Sequence, residues 1–152
     1  MLHHVSIRTA DIFRSIAFYE QIGFVMEERF TAGSTLACWM VGLSGRIELL
    51  QIPKPKPAAD AFGDEHYVGY YHLSFEVGSL AASLPEWLGG LGDRLGAIAQ
   101  PLVILLPPQQ QMIGDRVYEV AFIADPDGLP IEFLRDYAAI SKSNTSELSD
   151  KP

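Results

Sequence analysis

Two histidines and two glutamates recur at matched places along this chain. His4 falls in HHVSIRTADIFRSIAFYEQIG (3–23) and His72 in YHLSFEVGSLAASLPEWLGGLG (71–92), while Glu48 lies in RIELLQ (46–51) and Glu132 in PIEFLRD (130–136). His4, Val5, Ser6, Ile7, Ile12, Ser15, Ile16 and Tyr19 meet His72, Leu73, Ser74, Phe75, Leu80, Ser83, Leu84 and Trp87 at one constant offset. Imidazole nitrogens and carboxylate oxygens together suit a divalent ion, and a carboxylate beside such an ion can move a proton. A single His or Glu at a strand end is usually solvated or satisfied by the core. Four at repeat-related positions ask for a common explanation.

The elements that must position them can be read from periodicity. Leu2–Arg8 alternates like a strand, and Asp11 caps a helix whose apolar positions Ile12, Ile16, Phe18, Tyr19 and Ile22 recur at helical spacing until Gly23. Phe24–Phe30, Thr35–Val41 and Arg46–Ile52 read as three strands, separated by AGS and LSG turns. After the PKPKP run, Tyr70–Val77 is a strand and Ser79 to about Leu91 a helix, with Pro85 tolerable only in an early turn. Leu102–Leu106, Arg116–Ala124 and Pro130–Arg135 complete the set, with DPDG (125–128) turning between the last two.

The expected fold is therefore α+β, two βαβββ units whose sheets pair into a curved trough with helices outside. The first unit spans 1–52, a linker 53–69, the second unit 70–137, and an apolar-poor tail 138–152 is expected to be disordered. Alternate strand residues share a face, so His4 goes with Ser6 and Arg8, and His72 with Ser74 and Glu76. Val5, Ile7, Leu73 and Phe75 take the opposite face. On the same alternation His3 points away from His4 and reads as structural, and His66 as an exposed linker residue.

Composition limits the function classes. A chain of 152 residues can bury one hydrophobic core. Hydrophobic residues make up 48%, yet no apolar run approaches the roughly 20 residues of a membrane span, and the N-terminus lacks an export signal. The expectation is a cytoplasmic protein with no membrane partner. Cys38 is the lone cysteine, so neither an internal disulfide nor a thiolate metal site can form. A net charge of −8 without a Lys/Arg cluster argues against nucleic acid. A small-molecule substrate remains.

LHHVSIRTAD with its FYEQIGF helix end, IELL, YYHLSFEV and ADPDGLPIEF together resemble the vicinal oxygen chelate superfamily, which includes glyoxalase I, methylmalonyl-CoA epimerase, extradiol dioxygenases and the bleomycin resistance proteins. The resemblance covers Leu2 to Asp136. It implies a divalent metal (nickel, cobalt, zinc or manganese) held by His4, Glu48, His72 and Glu132, and a homodimer. The site could form within one chain or across two, the linker being long enough for exchange of halves. Arg8 matches an arginine that anchors a substrate carboxylate in glyoxalase I, although an ion pair with Glu76 is an alternative.

Glu48 separates the reactions the resemblance offers. Iron-dependent extradiol cleavage needs three open positions beside a 2-His-1-carboxylate triad, and Glu48 would fill one of them. Four protein ligands leave two positions for a substrate with neighbouring oxygens, as in a glyoxalase-type lyase or isomerase working by proton transfer. Glu132 is then the candidate base and Glu48 its counterpart on the opposite face. Where glyoxalase I carries a lysine-and-glycine stretch this chain reads PPQQQMIGDRVY. Arg8 and Arg116 would have to take over substrate recognition from it. The alternatives are an oxygenase, which implies iron, and a metal-free binding or resistance protein.

Overall fold

A computed structural model describes residues 1–42 and 45–137. The first half runs β1 (Val5–Thr9), α1 (Ile12–Ile22), β2 (Val25–Ala32), β3 (Thr35–Gly42) and β4 (Gly45–Gln51). The second half repeats it with β5 (Leu73–Glu76), α2 (Leu84–Ala97), β6 (Val103–Ile113), β7 (Arg116–Ala124) and β8 (Pro130–Asp136). The α+β fold of two βαβββ units is the one expected. Each half forms its own four-stranded mixed sheet, in the orders β1-β4-β3-β2 and β5-β8-β7-β6, open rather than closed into a barrel.

That order is what joins His to Glu. β1 lies parallel to β4 and β5 parallel to β8, so the opening and closing strands of each half are neighbours. Parallel neighbours need a long crossover, and α1 with the β2–β3 hairpin supplies it in the first half. Asp11 caps α1 by accepting from the Phe13 and Arg14 amides, and Gly23 ends it at φ 121°, a conformation that favours glycine. In α2, Ser83 caps the N-terminus and Pro85 stands in the first turn, where a missing N–H breaks no helical bond.

One core serves both halves. Ile7, Ile47 and Leu49 from the first sheet pack in the same cluster as Ile123, Ile131 and Phe133 from the second, with both helices contributing. The Phe24 and Phe75 rings meet edge to face at 5.6 Å across the halves. Polar clasps reinforce the contact. Tyr19 Oη donates to Asp125 Oδ2 at 3.0 Å, and Arg14 pairs with Asp127 at 3.0 Å, which docks the DPDG turn against α1.

Several boundaries differ from the sequence expectation. β6 runs to Ile113 rather than stopping at Leu106, because Pro107 and Pro108 fall where its pairing with β7 is irregular and β6 is an edge strand. α2 starts at Leu84, not Ser79, and continues past Leu91 to Ala97. The linker after the PKPKP run contains turns at 61–63 and 65–66. Among the described residues no helix is long and apolar enough to cross a membrane. The expected tail at 138–152 and two residues of the LSG turn, 43 and 44, lie outside the described residues.

Candidate functional site

In the first half the register places Ser6 beside Glu48 and Glu48 beside Trp39. Ser6 Oγ donates to Glu48 Oε2 at 2.6 Å and Trp39 Nε1 donates to Oε1 at 3.1 Å. His4, the residue just before β1, brings Nε2 to 3.5 Å from the same carboxylate. The Ser6 hydrogen bond, helped by Trp39 and His4, holds the Glu48 carboxyl below the usual range against a smaller opposing effect of burial. Glu48 is thus ionised and fixed by both oxygens.

The second half repeats the geometry with one change. His72 stands just before β5, and its Nε2 lies 3.2 Å from Glu132 Oε2. Ser74 and Phe122 occupy the register positions of Ser6 and Trp39. Phe122 has no N–H to donate. Among the described residues, the polar contact of the Glu132 carboxylate is therefore the His72 imidazole alone. His72 is packed edge to face by Tyr71 at 4.5 Å and Phe122 at 5.0 Å, and its Nδ1 is buried with no hydrogen-bond partner among the described residues.

A cavity of about 1100 Å³ lies between the two halves, and both His4 and His72 line it. Arg8 lines it too, exposed and without an ion pair to Glu76 among the described residues; Glu76 instead accepts from the Gly78 amide at 2.8 Å. Arg116 does not line it. It opens β7 and pairs with Asp136 at 2.9 Å. His3 departs from the expected orientation: the strand begins only at Val5, so alternation does not govern His3. Its Nδ1 is 2.8 Å from His4 Nδ1 and its Nε2 is 2.9 Å from Arg46. His66 is exposed in the linker, as expected. Among the described residues, no three His, Cys, Asp or Glu side chains are grouped closely enough to hold a metal ion. The four expected ligands stand as two pairs.

The sequence model of the glyoxalase/bleomycin resistance protein/dioxygenase superfamily matches residues 1–87 of the 152. The chain belongs to that superfamily. Solved structures of similar fold include a glyoxalase family protein from Enterococcus faecalis, 20% identical with a TM-score of 0.67, covering 88% of this chain and 96% of that one. A glyoxalase/bleomycin resistance protein/dioxygenase domain from Frankia is 23% identical, TM-score 0.63, covering 90% and 91%. The trypanothione-dependent glyoxalase I of Leishmania major is 21% identical, TM-score 0.58, covering 96% and 94%. At these identities the likeness is one of fold. No curated protein matches the sequence.

Within this superfamily fold, the residues that sequence reasoning missed are those that tune the carboxylates. Trp39 reads as core from its type, and only strand pairing shows that it sits beside Glu48. Its repeat-mate Phe122 makes the two halves unequal. Phe62 and Tyr71 stack at 6.3 Å, and Tyr71 stacks on Phe122 at 5.9 Å, so the linker closes over His72. No periodic signal in the linker points to that contact.

Proposed function

We propose that this superfamily member is a divalent-metal-dependent lyase or isomerase of the glyoxalase and epimerase type. It would work as a cytoplasmic homodimer on a small substrate with neighbouring oxygens. The observation that supports this reading is the repetition of a His–Glu pair at the same register in both sheets, His4–Glu48 and His72–Glu132. By type, two nitrogens and two oxygens would suit nickel, cobalt, zinc or manganese, and the reading requires the two pairs, which stand apart among the described residues, to come together on the ion. Among the described residues the buried His72 Nδ1 has no hydrogen-bond partner, so that imidazole is not already committed through both of its nitrogens. A bound ion would supply Lewis acidity toward the substrate's paired oxygens.

The chain's own residues divide the remaining work. Glu48, held ionised by Ser6 and Trp39, is a poor proton acceptor and a good fixed ligand. Glu132 lacks those donors, its polar contact among the described residues being His72 at 3.2 Å, and it is the residue we assign to take the substrate's proton. Arg8, in the cavity wall and without an ion-pair partner among the described residues, offers a charge to an anionic group of the substrate.

The test is solvent-deuterium exchange into 2-hydroxy and 2-oxo thioesters and hemithioacetals. Glu132→Gln is expected to lower exchange by about 10²–10⁴-fold. A variant that keeps its metal and exchanges at the wild-type rate would show that Glu132 is not the base. A metal-free binding protein is the second reading, favoured by the separation of the two pairs among the described residues. It requires ligand binding with no stoichiometric metal, whereas the oxygenase alternative requires iron and oxygen uptake.

A further inference from the structure

The cavity beside His4 and His72 is walled on one side by the segment between the two halves, including Pro55, Lys56, Tyr67, Tyr70 and Tyr71. Two features of that wall are unspent. The first is charge. The cavity's lining cations are Arg8 and Lys56, and neither has a hydrogen-bond or ion-pair partner among the described side chains. Its lining carboxylate, Asp127, is already occupied by Arg14 and Thr9. On a chain of net charge −8, two unpaired cations facing one cavity mark a preference for an anion.

The second feature is aromatic surface. Tyr70 is 94% exposed and Tyr67 45%, although both line the cavity. Tyr71, next to Tyr70 in the chain, is held by its stacking on Phe62 and Phe122, which anchors that end of the wall before any ligand arrives. A wall anchored beside its free aromatic faces loses less freedom on binding a flat apolar group than an unanchored one.

We propose that the linker is a recognition wall and that the ligand is an anion with a flat apolar body. Lys56 pairs with the anionic group, and Tyr67 and Tyr70 cover the body. This rests on the proton-transfer reading only in placing the ligand beside His4 and His72.

The test uses three probes on the full chain by titration calorimetry: 4-phenylbutyrate, its neutral analogue 4-phenyl-1-butanol, and butyrate. Wild type is expected to bind the phenyl acid most tightly. Lys56→Gln should weaken the acid about tenfold, the loss of a charge-assisted contact, and leave the alcohol unchanged. Tyr70→Ala should weaken both phenyl probes and leave butyrate unaffected. Equal binding of acid and alcohol, no binding of any probe, or an acid affinity unchanged in Lys56→Gln would overturn the proposal. Metal content is measured on the same samples. A metal-free protein that keeps the acid preference counts against the proton-transfer reading alone, and a metal-loaded protein without the preference counts against the wall alone.

Discussion

Replacing Trp39 with Phe would make the first half imitate the second, where Phe122 stands beside Glu132. The substitution removes the Nε1 hydrogen bond to Glu48 Oε1 at 3.1 Å and keeps a ring to face Phe30 at 5.1 Å. A hydrogen bond to a charged group contributes about 1.5–3 kcal/mol. Glu48 keeps 14% of its side-chain surface in water, and Ser6 still binds the other oxygen, so the lower end applies, about 1.5 kcal/mol. The pH dependence identifies the source. Glu48 titrates below its ordinary 4.5 in the folded protein, so its contribution is present above that value and is lost as pH falls through the folded one. Urea unfolding of wild type and Trp39→Phe at a series of pH values should show the gap at neutral pH and its shrinkage in acid. A gap of constant size down to low pH would mean that the tryptophan acts by packing alone, and that Glu48 owes it nothing.

Two further outcomes follow from buried charge. Glu119 accepts from the Leu84 amide at 2.8 Å and lies 3.5 Å from Arg135, both side chains being nearly inaccessible. Glu119→Gln keeps an acceptor for Leu84 but strands the guanidinium, and should cost about 3 kcal/mol in urea unfolding; a loss near zero would show that the pair is dispensable. Asp125 is pushed above its ordinary 3.8, chiefly by burial, against hydrogen bonds from the Leu129 and Asp127 amides and from Tyr19. Its stabilising contribution is therefore complete below the ordinary value and is lost as pH rises through the raised one. Wild type should lose stability relative to Asp125→Asn across that window, and parallel pH profiles would contradict the assignment.

The fold was legible because each half is written in strong local signals that agree with one another. Asp11 and Gly23 bracket α1 as their capping chemistry requires, and Gly128, at φ 91° in the DPDG turn, starts the reversal into β8. The repeat then made the βαβββ order readable twice, while the pairing of β1 with β4 and of β5 with β8 came only with the structure. The errors have local causes. Pro107 and Pro108 look like a strand end, but an edge strand with irregular pairing accommodates them. Alternation assigned His3 to the wrong surroundings because it was carried beyond the first paired residue, Val5.

At the site, the sequence showed that each half opens on a His and closes on a Glu; that they stand as two pairs, His4–Glu48 and His72–Glu132, rather than as one set of four among the described residues is a result of the strand pairing. What separates Glu48 from Glu132 was not visible. It depends on which residue of a third strand lies alongside, Trp39 or Phe122, and register across three strands is set by turns and bulges rather than by the identity of either residue. The bulge between Met26 and Glu28 shows how one extra residue shifts such a frame. The linker wall was hidden for a similar reason. Its tyrosines carry no periodicity, and that Tyr67 and Tyr70 line the same cavity as His72 is seen only once the two halves are folded together.

The central claim is that the repeated pairs act on one ion. Elemental analysis of the purified, full-length protein measures this directly, with His4→Ala and His72→Ala variants prepared in parallel. The expected result is roughly one nickel, cobalt, zinc or manganese ion per chain in wild type and a loss of that metal in both variants, because each removes a nitrogen donor from the same set. Folded wild-type protein that takes up no divalent ion, or variants that retain it undiminished, would contradict the account.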